Sequence, residues 1–169
     1  LSPLIEKLKI KKDNFYLINT NQHSLKNMSK IFFDFFKIKG RIKNINPSKK
    51  SQSIFFSESV RLISKILISN KPDFLIVQGD TNTVLAAGVC SLKSNIPISH
   101  VESGLRSNDW RMPEEHNRIA IDHLSEFLFA PTKNTKFNLI SEKVHGQIFV
   151  TGNTVIDALL MKSKMAKPP

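Results

Sequence analysis

Cysteine is nearly absent: Cys90 is the only one in 169 residues. A lone thiol excludes an internal disulfide. It sits in the apolar segment Val84–Leu92 with no cation beside it, which predicts a buried, inert thiol. A reducing, cytoplasmic compartment is the expectation. Long apolar runs are absent as well. None approaches the roughly 18 residues that a membrane span needs, so no membrane partner is expected. The phosphate-cradling patterns G-x-G-x-x-G and G-x-x-x-x-G-K-[ST] are missing, which removes the main support for dinucleotide and P-loop readings. No G-x-S-x-G is present to anchor hydrolase chemistry. His100, His116 and His123 lack tight metal-ligand spacing, so no metal is expected.

What the sequence has in excess is lysine. The net charge is +11, from 25 Lys and Arg against 14 Asp and Glu. The lysines scatter over helix faces, and the densest cluster, Lys9, Lys11 and Lys12, carries no interleaved aromatics. That spacing predicts a solvated surface and no nucleic-acid partner. At 40% hydrophobic and 23% charged the composition is that of an ordinary folded domain, and the length suffices for one core. The chain begins at Leu1 in the middle of an amphipathic pattern (Leu4, Ile5, Leu8). This predicts the end of a helix, not the h-region of a signal peptide, in a fragment whose start is missing.

Apolar runs and amphipathic stretches then alternate. Phe15–Thr20 predicts a strand, and Leu25–Phe36 a helix with Met28, Ile31, Phe32, Phe35 and Phe36 on its core face. Gly40 stops that helix, and Arg41–Ile45 predicts a short edge strand. Pro47–Gln52 reads as a polar loop. Ile54–Ser69 predicts a long helix, and Phe74–Val77 a strand buried on both faces of a parallel sheet. Further helices are expected at Thr83–Leu92, Pro113–Ser125, Lys133–Glu142 and Thr154–Met165. Strands are expected at Ile96–Val101, Phe127–Ala130 and Gln147–Val150. The alternation predicts an α/β fold, a doubly wound, Rossmann-like parallel sheet. Residues 1–160 would form this domain, lacking its first strand. Residues 161–169 would begin a connection to a second domain that is absent.

Ligands in such sheets bind at the carboxyl edge of the strands. Four segments reach that edge. Gly79-Asp80-Thr81 offers either a helix cap or a carboxylate held beside helix N–H groups. His100 and Glu102 share one face of a strand end, Gly104 turns the chain, and the fork of Arg106 suits a phosphate or carboxylate. Pro113-Glu114-Glu115 suits a helix start. Glu114, Arg118 and Asp122 follow at four-residue spacing, as in a surface salt-bridge ladder. Thr151-Gly152-Asn153 precedes a further helix N-terminus, a second anion site in principle.

In order and spacing these segments resemble the non-hydrolysing UDP-N-acetylglucosamine 2-epimerases. The resemblance is carried by Thr20–His23 (TNQH, where the family has T-G-Q-H), Asn27-Met28-Ser29 and Val77–Thr83 (VQGDTNT). It continues through His100–Ser107 (HVESGLRS), Arg111–Arg118 (RMPEEHNR), Phe129–Thr132 (FAPT) and Val150–Leu160 (VTGNTVIDALL). Asn21 in place of glycine is a departure, though asparagine tolerates positive φ better than most residues.

The resemblance implies the N-terminal half of a GT-B-like two-domain fold. Its opening strand, its G-T-R-P-E loop and its C-terminal domain would lie outside this chain. It implies interconversion of UDP-N-acetylglucosamine and UDP-N-acetylmannosamine by C2 proton abstraction and UDP elimination and re-addition, with no cofactor. It places the catalytic acids at Asp80, Glu102 and Glu114, and substrate contacts at Gln22, His23, His100, Arg106, Arg118 and Asn153. His100, Arg106 and Arg118 are alternatively orienters of the acids, and Glu115 is expected to serve the helix dipole. The UDP-sugar is the expected partner. Dimers are common in the family, which makes a homodimer of the full-length enzyme an expectation that the residues themselves do not signal. Two other functions remain open on the sequence: a GT-B glycosyltransferase, and a truncated domain that catalyses nothing.

Overall fold

The computed structural model describes residues 2–22 and 42–165. The expected helix Leu25–Phe36, its Gly40 stop and His23 lie outside the described residues. The chain divides into two units, one of residues 1–44 with 153–169, the other of residues 45–152.

In the first unit, helix α1 (Ser2–Ile10) is followed by β1 (Leu17–Asn19) and β2 (Ile42–Asn44). The two strands pair in parallel, Leu17 opposite Ile42. Asn21 stands at φ 51°, so the residue in the glycine position does adopt the left-handed turn. Its side chain accepts a hydrogen bond from Asn19 Nδ2 at 2.9 Å, and its amide donates to Asn19 Oδ1 at 3.2 Å. The C-terminal helix of this unit, α6 (Thr154–Met165), packs on α1.

The second unit runs α2 (Gln52–Asn70), β3 (Leu75–Gln78), α3 (Asn82–Lys93), β4 (Ile98–Val101), α4 (Pro113–Leu124), β5 (Phe127–Ala130), α5 (Lys133–Ser141) and β6 (Gln147–Val150). Its strands form one parallel sheet in the order β3-β4-β5-β6. Leu75 lies opposite Ile98, Ser99 opposite Phe127, and Phe127 opposite Gln147. Parallel neighbours require a crossover, and α3, α4 and α5 supply one each. The α/β class with parallel strands holds in both units.

Local chemistry explains the element ends. Ser51 Oγ accepts from the Ile54 amide, so α2 starts at Gln52, inside the segment expected as loop. Thr81 caps α3, and a Thr132–Thr135 capping box starts α5. Pro113 occupies the first turn of α4.

The strand buried throughout is β4, whose four residues are all buried, and not β3, where the sequence predicts it. Ile76 is 36% and Phe74 53% exposed, because β3 has a neighbour on one side only in this sheet. Ile63 and Leu67 of α2, Ala86 and Cys90 of α3, and Ile121 of α4 are buried together with β4. Leu128, Ala130 and Leu139 form a core cluster with Val144 and Ile148 against it. With all four strands parallel, the chain reversals after β3 and β4 fall on one edge, and the candidate acids ride on them.

Candidate functional site

The turn after β3 is set by Gly79 at φ 79°. Thr81, not Asp80, supplies the cap of α3, its Oγ1 accepting from the Val84 amide. Asp80 is thereby released from the cap reading. Its carboxylate pairs instead with the Arg118 guanidinium from α4. Asn117, one residue earlier, donates to the Asp80 carbonyl at 2.9 Å and to Asn82 Oδ1 at 3.1 Å. Two consecutive residues of α4 thus hold the Asp80 turn by backbone and by side chain.

The turn after β4 carries Glu102 at φ 72°, a left-handed conformation uncommon for a glutamate. Its carboxylate lies over the preceding turn: Gln78 Nε2 donates to Glu102 Oε2 at 3.5 Å, and the same oxygen is 4.0 Å from where a Cβ on Gly79 would stand. The structure therefore brings the Asp80 and Glu102 turns together at neighbouring strand ends. Glu114, in the first turn of α4, is exposed and has no polar partner among the described residues.

Beneath these turns lies a buried ionic cluster. His100, fully buried in β4, has Nδ1 2.6 Å from Asp122 Oδ1 and Nε2 2.9 Å from the Gly79 carbonyl oxygen. Asp122 Oδ2 accepts from the Gly104 amide at 3.1 Å and lies 2.8 Å from Arg106 Nη2. Arg106 also grips Glu142 with both Nε and Nη2, at 2.7 and 2.6 Å. Burial works against the Arg106 charge, but the hydrogen bonds and charges of Glu142 and Asp122 outweigh it and raise the guanidinium above its ordinary pKa.

Several expected roles change on this geometry. Asp122 is not part of a surface ladder, because its side chain is 0% exposed. Arg106 is committed to Asp122 and Glu142, and His100 to Asp122 and Gly79. Both tie the turns of the edge together. Glu115 exceeds its helix-dipole role. It is 1% exposed and accepts from the Ser107 amide at 3.0 and 3.2 Å, the Asn108 amide at 3.0 Å and the Ser107 hydroxyl at 3.0 Å. Burial alone would raise its pKa. Those hydrogen bonds and the Arg118 charge outweigh burial and hold the carboxyl below its ordinary range. Glu115 thus anchors the loop 105–112. Arg118 serves both acids, reaching Glu115 Oε2 at 3.4 Å, and its buried Nε has no hydrogen-bond partner among the described residues.

Asn153 and Gln22 belong to the other unit. Asn153 Oδ1 accepts from the Val155 amide at 2.9 Å at the start of α6. Gln22 follows the Asn21 turn and is partly buried. Among the described residues no cluster of His, Cys, Asp or Glu could hold a metal ion, and no helix is long and apolar enough to cross a membrane. His116 Nε2 meets the Trp110 carbonyl at 2.9 Å, and the Cys90 thiol is buried.

Sequence reasoning missed Asn117 and Glu142 and put Asp122 on a surface ladder. A signal existed for Asp122: it lies two helical turns after the buried Glu115 and beside Ile121, on the apolar stripe of α4. Glu142 gave none, since it reaches Arg106 only through the tertiary fold.

Comparison with known proteins agrees with this layout. The family model of UDP-N-acetylglucosamine 2-epimerase matches residues 6–169. A UDP-N-acetylglucosamine 2-epimerase of Methanococcus maripaludis is 46% identical over 168 residues, covering 99% of this chain and 45% of the relative. Among solved structures, the Methanocaldococcus jannaschii UDP-GlcNAc 2-epimerase in complex with UDP-GlcNAc and UDP superposes with TM-score 0.93 at 43% identity, over 98% of this chain and 46% of that one. The Neisseria meningitidis UDP-GlcNAc 2-epimerase bound to UDP-GlcNAc gives TM-score 0.90 at 34% identity, over 97% and 45%. This chain thus spans under half the length of these relatives. By sequence and by fold, the chain belongs to the UDP-N-acetylglucosamine 2-epimerase family.

Proposed function

We propose that residues 1–169 supply the proton-handling wall of an enzyme that interconverts UDP-N-acetylglucosamine and UDP-N-acetylmannosamine. The observation that carries this reading is the placement of Asp80 and Glu102 on the turns of adjoining strand ends, with Thr81 and not Asp80 capping the helix between them. Removing a weakly acidic proton from C2 needs a positioned base, and returning one to the other face needs a positioned acid. In the proposed cycle C2 loses its proton as UDP leaves C1, giving 2-acetamidoglucal. Re-protonation of C2 and re-addition of UDP complete it. Asp80, Glu102 and the exposed Glu114 are the proposed proton-transfer set. Arg118, whose guanidinium reaches the Asp80 carboxylate, is proposed to contact the substrate, as are Gln22, His23 and Asn153. His100 and Arg106 are proposed to act through the acids. The cycle consumes no redox equivalent and needs no cofactor. A cytoplasmic location and a homodimer of the complete enzyme are proposed from the family resemblance.

The test is a chimaera in which residues 1–169 replace the matching segment of the M. maripaludis relative. It should convert UDP-N-acetylglucosamine without an acceptor, and in heavy water the product should carry deuterium at C2. Asp80→Asn, Glu102→Gln and Glu114→Gln should each lower kcat by on the order of 100-fold or more with the fold kept. Near-normal turnover in any one removes that residue from the set. A folded chimaera that leaves the substrate unchanged overturns the function. Residues 1–169 alone should give no turnover, and measurable epimerisation by them would refute the idea of a single wall.

A further inference from the structure

The buried cluster under the site contains a constraint on protonation. Both partners of His100 are oxygens: the Gly79 carbonyl at Nε2 and Asp122 Oδ1 at Nδ1. A carbonyl can only accept, so Nε2 must carry a proton. Asp122 Oδ2 also accepts from the Gly104 amide and faces the Arg106 guanidinium, so that oxygen is occupied by two donors and has no place for a proton of its own. With Oδ2 so occupied the carboxylate faces His100 as an acceptor, and in that arrangement Nδ1 carries a proton as well. Charge balance points the same way. Arg106 is balanced by Glu142, which is 30% exposed and 3.9 Å from His123, and a cationic His100 balances the fully buried Asp122. Buried charges persist where they are paired.

We propose that Asp122 is a positioning residue for the proton-transfer site, holding His100 as a double donor. Through His100 it fixes the Gly79 carbonyl and hence the turn that presents Asp80. Through Oδ2 it fixes the Gly104 amide, two residues after Glu102. One carboxylate on α4 thereby sets the spacing of two candidate acids that it does not touch. The kinetic part of this proposal rests on Asp80 and Glu102 being the reacting acids; the His100 part does not.

Two measurements test it. In the 169-residue chain labelled with ¹⁵N-histidine, His100 is assigned as the resonance pair lost in His100→Gln. Both ring nitrogens should resonate as protonated nitrogens near neutral pH, and Asp122→Asn should shift one of them to the unprotonated type. A wild-type His100 with one unprotonated nitrogen overturns the proposal. In the chimaera, Asp122→Asn should lower kcat by on the order of 100-fold, as displacement of reacting groups does, with KM nearly unchanged. An unchanged kcat in a folded Asp122→Asn chimaera also overturns it. Should Asp122→Asn fail to fold by circular dichroism, His100→Gln is read in its place and must show the same split between kcat and KM. A chimaera inactive before any substitution counts against the proposed function, while the nitrogen signature still decides the state of His100.

Discussion

Glu102 holds a backbone conformation that suits glycine, at φ 72° where β4 ends. A left-handed residue with a Cβ costs about 1 kcal/mol, so Glu102→Gly should be more stable than Glu102→Ala by about that amount in urea unfolding. In the chimaera both should lack activity, which would separate strain from function at one position. Glu115 offers a second reading at this scale. Its folded carboxyl lies below the ordinary glutamate range, so its contribution is complete above that range and is lost as pH falls through the folded value. Acidification should therefore release the loop 105–112, and Trp110, the single tryptophan, reports it by fluorescence. Glu115→Gln should remove that acid limb. Residue types put carboxylates at the chain reversals, and the family resemblance singled out Asp80, Glu102 and Glu114 among them. The choice between Asp80 and Thr81 as cap, the burial of Glu115 and the hub at Asp122 were not legible. Each depends on which side chain another helix delivers, and that is a tertiary fact.

At the scale of elements, the periodicities located every described strand and helix to within a few residues. The 3.6-residue pattern marks apolar stripes, and short apolar runs between turn residues mark strands. The start of α2 moved outward because Ser51 offered a cap that hydrophobic periodicity does not register. The β3 exposure was misjudged because a run of apolar residues says nothing about how many neighbours a strand has. The turn after β4 shows how closely it meets α5. A Cβ on Gly104 would lie 2.3 Å from the Thr135 carbonyl oxygen, and Gly104 stands at φ 78°. Gly104→Ala should cost about 2 kcal/mol or more, read as a lowered denaturation midpoint. Its amide is also one of the groups that Asp122 holds, so the same change should loosen the loop that Glu115 anchors.

For the molecule as a whole, the motifs fixed the family and the alternation fixed the α/β class. The arrangement into two units, with a two-stranded and a four-stranded sheet among the described residues, was not legible. Sheet membership depends on long-range pairing, which a strand's own sequence barely encodes. At the site the cations Arg106 and Arg118 are paired with acids, so the net charge of +11 is carried elsewhere on the chain. The single thiol has a use that its chemistry does not suggest. Cys90 is 2% exposed on α3, 3.2 Å from the Ser64 hydroxyl and 3.3 Å from the Val60 carbonyl of α2, and burial raises its pKa. A thiol reagent can reach it only when α2 and α3 part. Its labelling rate is therefore a clock for the opening of that helix pair, and it should slow in step with any change that stabilises the second unit.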